Sequence, residues 1–399
     1  MQLTADGSTT VRDQLDLRLT PHASWPLAVA VSGGSDSMAL LYLAAGWAAR
    51  RGRHLLVLSV DHGINPQSAQ WNVRVAEAAR HLGADWYGLV WEGPKPTCGL
   101  PAAARRARHA LLAQAARDAG ARVLLMGHTA DDVAEADWMR AAGSSLGQVR
   151  SWSPSPVWPE GHGLMVLRPL LAIARQTLRD WLSDSGTEWI DDPANADQRF
   201  LRSRARAARP ARRPTVETPL PPQDLSVDPG TGVITGPVET PWLGQALVCA
   251  SGREAIPRRA AVDQLRQRLI GGGGAGVLGG AHIVSDSGRL TIWREPGRRR
   301  PVEMPLSPGA VQIWDGRFAV RARQAGWSVT SAEGLRARLS PQDRIELAAS
   351  PVGARASRPV LMRDDSRRPL LAHPDLEVSC LVATRLRLAT GGVQREADI

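Results

Sequence analysis

The chain has 399 residues, enough for two or three domains, and 43% of them are hydrophobic, which suffices for real cores. Its formal net charge is +10, and nearly all the positive charge is arginine because Lys95 is the only lysine; this favours a nucleic-acid partner. A GC-rich genome that encodes arginine in place of lysine would explain the scarcity of lysine but not the excess of positive charge. Three scattered cysteines and the lack of a run of about twenty apolar residues exclude a disulfide framework, a CxxC metal site and a membrane span, so we expect a soluble cytoplasmic protein.

Residues 27–205 alternate short apolar runs with amphipathic helical stretches. This order predicts an α/β fold, a Rossmann-like parallel sheet covered by helices on both faces. The predicted strands are residues 27–31, 55–60, 86–91, 123–126 and 165–167, and the helices between them include residues 69–82 and 101–119. In such a sheet, ligands bind beyond the carboxyl ends of the strands.

The segment Ser32-Gly33-Gly34-Ser35-Asp36-Ser37 follows the first predicted strand and opens a helix. Two glycines permit a sharp turn, and the amides at the start of the helix form a site for a polyphosphate. Asp36 would repel phosphate unless Mg²⁺ lay between them, so the segment predicts a magnesium–nucleotide site. It is not a Walker A loop, which needs a lysine after its last glycine.

Two further polar segments follow predicted strands, Asp61-His62-Gly63 and Gly127-His128-Thr129-Ala130-Asp131-Asp132, and we expect both to meet the first segment in one crevice. Asp132 and Glu135 are three apart at the start of a helix and therefore share a face. They would accept a cation, either magnesium or an amine, or would merely complement the helix dipole. On the preceding helix, Arg105 and Arg108 suit a phosphate or a carboxylate, or form a solvated basic face.

The amino-acid composition changes after residue 206, where frequent proline, glycine and threonine predict a linker. Beyond it we expect a basic helix over residues 256–270, a glycine-rich connecting loop over 271–280, and short strands at 282–284, 290–293, 312–314 and 317–320. The predicted organisation is a catalytic domain at 1–206, a linker at 207–245, and a smaller α+β or β-rich module at 246–399.

Taken together, the motifs resemble those of bacterial tRNA(Ile)-lysidine synthetases, members of the PP-loop ATP pyrophosphatase superfamily. The resemblance covers most of the chain in order, and it departs from the family pattern at Pro101, Val133, Ala136 and residues 142–145. The motifs that carry it are Ser32–Ser37, Val60–Gly63, Ala104–Arg108, Gly127–Asp132 with Glu135, Arg168–Leu171, Asp191–Asn195, Phe200–Arg206, Leu278–Gly280, Arg294–Arg298 and Trp314–Phe318.

This resemblance implies a two-step reaction on the anticodon-first cytidine of the isoleucine tRNA with a CAU anticodon. ATP adenylates the C2 oxygen of the base, and the ε-amine of free lysine then replaces AMP at C2. By this resemblance, Asp36 would bind Mg²⁺, and Ser32 to Ser37 with Asp61 and His62 would contact ATP. Asp132 and Glu135 would accept the lysine ammonium. Arg105 and Arg108 would meet the lysine carboxylate or a phosphate, His128 would orient substrate or move a proton, and Arg202, Arg204 and Arg206 would meet the tRNA.

Two other functions stay open at the level of sequence. Another PP-loop enzyme, such as a tRNA 2-thiolase, would share the ATP site, but such enzymes use paired cysteines that this chain lacks. A diverged paralogue that binds tRNA without catalysis would release no AMP. The oligomeric state is also open, with a homodimer among the options.

Overall fold

The structure is a computed structural model that describes residues 5–144, 147–157, 163–192, 201–208, 221, 223–270, 274–296, 302–366 and 368–399. The chain divides into two compact units. The first consists of Met1–Pro219 together with Val393–Ile399, and the second of Leu220–Gly392. No helix within the described ranges is both long and apolar enough to cross a membrane.

A six-stranded sheet forms the centre of the first unit. Its strands are β1 (Leu27–Ala30), β2 (Leu55–Asp61), β3 (Asp85–Val90), β4 (Val123–Met126), β5 (Trp152–Pro154) and β6 (Met165–Leu167). They lie in the order β3-β2-β1-β4-β6-β5, and every neighbouring pair is parallel except β5 and β6. The predicted parallel sheet is therefore confirmed, with an antiparallel strand added at one edge.

Helices cover this sheet, as the alternating pattern predicts. They are α1 (Ala5–Arg18), α2 (Ser35–Arg51), α3 (Ser68–His81), α4 (Leu100–Asp118), α5 (Ala130–Ala141), α6 (Arg175–Asp184) and α7 (Leu201–Ala207). On one side, Leu112 of α4 packs into a core with Leu56 of β2 and Leu124 of β4. Burial of these aliphatic side chains, about 1.5–3 kcal/mol each, fixes the helices to the sheet and so places the strand ends that carry the polar motifs.

The second unit is β-rich, as predicted, and the strands within its sheets pair antiparallel. Its strands are β7 (Ser226–Val227), β8 (Ile234–Pro237), β9 (Gly274–Leu278), β10 (Ala281–Asp286), β11 (Arg289–Arg294), β12 (Met304–Pro305), β13 (Val311–Trp314), β14 (Phe318–Ala322), β15 (Trp327–Ser331), β16 (Pro359–Arg363), β17 (Pro369–Leu370) and β18 (Leu376–Cys380). They form three sheets, in the orders β7-β8-β11-β10-β9, β12-β15-β16-β17 and β13-β14-β18. The accompanying helices are α8 (Leu243–Ser251), α9 (Arg259–Ile270), α10 (Pro341–Ala349) and α11 (Val382–Ala389).

Part of the predicted linker is ordered structure. Within residues 207–245, β7 and β8 add to the edge of a sheet, and Ile234 of β8 pairs with Ile292 of β11. Both strands are short and contain few apolar residues. They complete the sheet by backbone pairing, β7 with β8 and β8 with β11, which lies far along the chain. Residues 209–220 and 222 lie outside the described residues.

The glycine-rich segment at 271–280 is a strand and a turn rather than a connecting loop. From Gly274 onward it forms β9, which pairs with β10, and Gly279 and Gly280 make the two-residue connection with φ values of 62° and 82°. Two consecutive positive φ angles are those of a type I′ hairpin turn, which glycine adopts without strain. Residues 271–273 lie outside the described residues.

The segment Trp314-Asp315-Gly316-Arg317-Phe318, one of the motifs behind the family resemblance, forms the turn between β13 and β14. Arg317 is buried and donates to Asp315 Oδ2 at 2.8 Å and to the Ser357 carbonyl at 2.6 Å. Arg294 donates to the same Asp315 carboxylate at 2.8 Å. These contacts give the motif a structural explanation, since two guanidinium groups and one carboxylate are paired inside the unit.

The last seven residues return to the first unit, which differs from the predicted division of the chain. Val393 is buried, and its carbonyl accepts a hydrogen bond of 3.0 Å from Trp152 Nε1 of β5. The Glu396 carboxylate pairs with Arg53, and both side chains are 0% exposed. The first unit is therefore discontinuous in sequence.

Candidate active site

The first polar segment lies between β1 and α2, where the sequence places it. Gly33 has a φ of 86°, and a Cβ atom there would lie 2.4 Å from Ile190 Cδ1, so the position requires glycine on two counts. Helix α2 begins at Ser35, and its first backbone bond joins the Met38 amide to the Gly34 carbonyl at 2.9 Å. The amides before Met38 precede this ladder, and with the helix dipole they form a site for phosphate oxygens.

Hydroxyl groups fix the shape of this loop. Ser37 Oγ donates to the Gly34 carbonyl at 2.9 Å and accepts from the Ser32 amide at 3.2 Å. Ser35 Oγ donates to Asp36 Oδ1 at 3.1 Å and accepts from Arg179 Nε at 3.3 Å. Ser37 therefore closes the turn on itself, while Ser35 connects it to helix α6.

The loop after β2 is organised by Asp61. Its Oδ1 accepts from the Gly63 amide at 2.7 Å and from the Ser68 hydroxyl at 2.6 Å, so it ties the loop to the start of α3. The next residue, His62, lies edge-on to Trp91 with ring centroids 6.2 Å apart. Burial, and then the nearby Arg108, lower the pKa of His62.

The loop after β4 approaches the first loop closely. A Cβ atom on Gly127 would lie 2.9 Å from the Asp36 carbonyl oxygen, so only glycine allows this approach. Two residues later, Thr129 caps α5: its amide and hydroxyl donate to Asp132 Oδ2 at 2.8 and 3.0 Å. One oxygen of Asp132 is thus used to cap the helix, and the other, Oδ1, faces the crevice.

Three carboxylates from two helices meet around Arg175 at the start of α6. Arg175 Nε donates to Asp36 Oδ2 at 2.8 Å, Nη2 to Asp132 Oδ1 at 3.2 Å, and Nη1 to Glu135 Oε1 at 3.1 Å. Burial alone would lower the pKa of Arg175, but the three carboxylates outweigh it and raise that pKa. The sequence prediction that these acids converge is borne out by this geometry, although it did not include the arginine.

Helix α7 brings two more arginines to the same acids. Arg202 contacts Asp132 Oδ1 and donates from Nε to Glu135 Oε2 at 3.0 Å, and Arg206 Nε donates to Glu135 Oε1 at 3.0 Å. Arg204, between them, is exposed. Of the three arginines predicted to meet tRNA, two therefore pair with the acidic residues and one faces outward.

Arg105 and Arg108 form a cationic zone next to the acids, together with two imidazoles, that of the predicted His128 and that of His109. Burial, followed by Arg105, lowers the pKa of Arg108 to about 10. Burial and Arg168 lower the pKa of His128 to about 3, and burial and Arg108 lower that of His109 to about 2. Both imidazoles are neutral at pH 7, and within the described residues His128 Nδ1 and His109 Nε2 have no hydrogen-bond partner.

The pKa values of the two aspartates shift in opposite directions. For Asp36, burial raises the pKa despite the contact with Arg175. For Asp132 burial would also raise the pKa, but Arg202, His128, Arg175 and the Thr129 amide outweigh it and hold that pKa below its ordinary value. The acid at the phosphate loop is thus the less strongly paired of the two, which suits a group that exchanges its partner.

Comparison with known proteins identifies the family. Residues 8–209 match the PP-loop domain. A tRNA(Ile)-lysidine synthase of Caulobacter vibrioides is 45% identical over 97% of this chain and 98% of its own length. The chain belongs to the tRNA(Ile)-lysidine synthase family. The synthases of Hyphomonas neptunium and Rhizobium meliloti are 37% and 35% identical, over 71% and 83% of this chain and 83% and 79% of their own lengths.

Membership of the tRNA(Ile)-lysidine synthase family confirms the resemblance drawn from the motifs. Three of these motifs, Asp191–Asn195, Phe200–Arg206 and Arg294–Arg298, are only partly described, and Gly297 and Arg298 of the last lie outside the described residues. Asp191 accepts from Arg179 Nη2 at 2.6 Å, and the Trp189 ring lies under the same guanidinium. Residues 193–200, which include Asn195 and Phe200, and Ser145 of the segment 142–145 lie outside the described residues.

Arg175 and His109 are the two site residues that sequence reasoning missed. Arg175 lies seven residues after Arg168, beyond the Arg-Pro-Leu-Leu motif, and the segment between them gave no sign that the helix would begin there. One signal was present. A cation at the N-terminus of a helix is unfavourable, so Arg175 at the start of α6 needs a carboxylate partner. His109 directly follows Arg108 and was read as part of an ordinary amphipathic helix.

The donors around Asp36 fit a magnesium ion shared with phosphate. Mg²⁺ is usually held by one or two carboxylates plus substrate phosphates, so the single acid at the start of α2 is sufficient. Within the part of the chain that the structure describes, no three His, Cys, Asp or Glu side chains are arranged to hold a metal by themselves. Asp36 is therefore the residue that would hold Mg²⁺, which would neutralise charge on the departing pyrophosphate.

Proposed function

We propose that this protein is an ATP-dependent ligase that joins free lysine to C2 of the anticodon-first cytidine of the isoleucine tRNA with a CAU anticodon. The products are lysidine, AMP and diphosphate. The observation that carries the proposal is that an acidic pair suited to an amine lies beside a phosphate-binding helix start in a chain of this family. One arginine touches both parts of this arrangement.

In the first step, the C2 oxygen of cytidine attacks the α-phosphorus of ATP and pyrophosphate leaves. The amides at the start of α2, with the hydroxyl of Ser35, would hold the leaving oxygens. Asp36 would hold Mg²⁺ there. The loop with Asp61 and His62 would border the adenosine of ATP. The tRNA cytidine has to leave its stack to reach the site.

In the second step, the lysine ε-amine attacks C2, the bond to the AMP oxygen breaks, and the nitrogen loses its extra proton. Asp132 and Glu135 would receive the ammonium before it is deprotonated. These two acids and Asp36 carry a formal charge of −3, which Arg175, Arg202 and Arg206 balance, so an incoming ammonium must displace one guanidinium. Arg202 and Arg206 are the ones to yield, since their side chains are 44% and 35% exposed against 15% for Arg175.

Neutral His128 would act as a hydrogen-bonding group rather than as an acid at pH 7, because its pKa is lowered to about 3. Arg105 and Arg108 lie on the adjacent face of α4 and would accept the lysine carboxylate or a phosphate. The exposed Arg204 and the second unit, Leu220–Gly392, would bind the tRNA through its backbone.

The proposal is tested by measuring AMP release from labelled ATP with Mg²⁺, lysine and the CAU-anticodon isoleucine tRNA. Release should require lysine, and it should stop when the anticodon cytidine is replaced by uridine. Release that ignores this cytidine would indicate a PP-loop enzyme with another acceptor, and no release would indicate a tRNA-binding protein without catalysis. Light scattering on the same preparation distinguishes one copy from a homodimer.

Asp132→Asn tests the acidic pair. It removes one of the two charges that would hold the ammonium, so we expect kcat/KM for lysine to fall about a hundredfold or more, the loss of a buried charge-assisted contact. The matched control is Asp137→Asn on the same helix, since Asp137 pairs with Arg140 at the surface. Equal activity of the two variants would contradict the assignment of Asp132.

A further inference from the structure

We propose that Arg175 is a specificity-determining residue that keeps divalent metal ions away from Asp132 and Glu135 and so reserves this pair for a monovalent ammonium. The proposal rests on the proposed function, because it concerns the same amine site. It divides the acidic residues into a metal side, Asp36, and an amine side, Asp132 with Glu135.

The position of the guanidinium carries the inference. Each of the three nitrogens of Arg175 meets a different carboxylate, at 2.8, 3.2 and 3.1 Å. Among the described contacts, the Asp36 carboxylate thus shares the Arg175 guanidinium with the other two acids. The Arg175 side chain is 15% exposed, and its own amide donates to Asp131 Oδ2 at 2.8 Å, so both ends of the residue are held.

The chemistry of the surrounding acids explains why such a group is needed. The three carboxylates are not arranged to hold a metal by themselves within the described residues. Asp132 and Glu135 still offer oxygen ligands of the kind that Mg²⁺, Mn²⁺ and Ca²⁺ prefer, and one or two carboxylates are enough for Mg²⁺. An enzyme that uses a magnesium–nucleotide beside an amine site faces this competition directly. A fixed guanidinium at the centre supplies the positive charge that a metal would otherwise supply, but it occupies only one oxygen of each acid.

Arg202 and Arg206 do not serve the same purpose. Among the described contacts they bind Asp132 and Glu135 alone, on the amine side, and their side chains are more than twice as exposed as that of Arg175. They are displaceable, as an amine site requires. Within the part of the chain that the structure describes, Arg175 alone contacts acids on both sides. A residue that stays in place while the others exchange determines which cation can enter.

The test is Mn²⁺ binding without nucleotide, followed by electron paramagnetic resonance, in Arg175→Gln and Arg175→Lys. Glutamine removes the charge, so we expect Mn²⁺ to bind at least about tenfold tighter than in the wild type, as expected for loss of a competing charged contact. Lysine keeps the charge as a point on a flexible stem and cannot reach three acids, so we expect an intermediate gain. The control is Arg51→Gln, which breaks a 2.7 Å surface pair with Asp16 and should leave Mn²⁺ binding unchanged.

A second measurement links the site to the amine. In Arg175→Gln, free Mn²⁺ should compete with lysine, and a concentration about ten times its dissociation constant should raise the apparent KM for lysine about elevenfold. In the wild type the KM for lysine should not respond. A merely structural role for Arg175 would lower kcat or stability without making KM depend on the metal.

The outcomes separate this proposal from the proposed function. If both variants bind Mn²⁺ as weakly as the wild type, Arg175 does not exclude metal and the proposal is wrong. If Arg175→Gln does not fold, the intermediate gain expected for Arg175→Lys still decides. The resonance measurement needs neither tRNA nor lysine, so it stands even if the wild type fails to release AMP.

Discussion

At the scale of single residues, the two buried imidazoles next to the acids have the clearest consequence for stability. His109 is 4% exposed, and its pKa is lowered to about 2 from an ordinary value of 6.5. The unfolded chain therefore binds a proton below pH 6.5 that the folded chain does not. Stability is fully present above pH 6.5 and is lost as the pH falls from there towards the folded pKa.

Replacing this imidazole should flatten the dependence on pH. In His109→Phe, the slope of the unfolding free energy between pH 6 and pH 4 should decrease by about 1.4 kcal/mol per pH unit, the contribution of one proton. Urea titrations of the first unit over this range would measure it. His81→Gln, at an exposed position on α3, should keep the wild-type slope; a parallel loss of slope in both variants would contradict the assignment to burial.

Single residues were predictable where chain direction alone decides their place. Asp36 and Asp132 follow strands β1 and β4, and parallel neighbouring strands bring their carboxyl ends together, so the convergence of these acids followed from the pattern. The contact partners did not follow. Arg175 meets Asp36 across 139 positions of sequence, and its pairing depends on how α6 packs on the sheet.

At the scale of elements, helix α7 carries two kinds of arginine that should respond differently. Arg204 is exposed, while Arg202 pairs with Asp132 and Glu135. We expect Arg204→Ala to weaken tRNA binding and to reduce the slope of log affinity against log salt by about one unit, without altering the KM for lysine. Filter binding at several salt concentrations measures the first effect.

Arg202→Ala is the paired variant on the same helix. It removes a competitor for the amine-accepting acids, so we expect the KM for lysine to fall severalfold while the salt slope of tRNA binding stays near that of the wild type. If Arg202→Ala instead weakens tRNA binding as Arg204→Ala does, Arg202 contacts tRNA, as the sequence predicted for all three arginines.

Among the elements, the buried strands of the first unit were predicted best. Strands β15, β16 and β18 of the second unit were not predicted, although each contains apolar residues. Buried strands such as β1 and β4 are continuous apolar runs that end at glycine or polar residues, and their observed bounds differ from the predicted ones by one residue or none. Strands β8 and β9 were missed because glycine, threonine and proline give them no apolar run. They are stabilised by backbone pairing with β11 and β10, which local sequence does not show.

At the scale of the whole molecule, the chain enters the second unit at Leu220 and returns to the first at Val393. The sequence offered no signal for this return, because the segment 393–399 is short and most of its residues are polar, so it shows no apolar pattern. Their place is determined by a buried pair: Glu396 accepts from Arg53 Nη1 and Nη2 at 2.9 and 3.0 Å, from Trp25 Nε1 at 2.9 Å and from the Thr20 amide at 2.8 Å.

This pair makes the C-terminal segment a part of the first unit's stability. Glu396→Gln leaves the shape nearly unchanged but leaves the Arg53 charge buried and uncompensated, and it turns an amide donor towards other donors. We expect the free energy of unfolding of the first unit to fall by about 3–5 kcal/mol, as in other broken buried pairs. Hydrogen exchange of strands β1 and β2 in urea would measure it.

The matched control is Glu377→Gln, at a surface pair whose side chains are 51% and 63% exposed, where we expect a change of about 0–1 kcal/mol. Removing residues 393–399 should destabilise the first unit at least as much as Glu396→Gln, since it also removes the buried Val393 and its bond to Trp152. If truncation leaves the hydrogen exchange of β1 and β2 unchanged, the segment contacts the first unit but does not contribute to its stability. A loss of stability in both variants would mean that the sheet of the first unit reaches its full stability only with residues 393–399 in place.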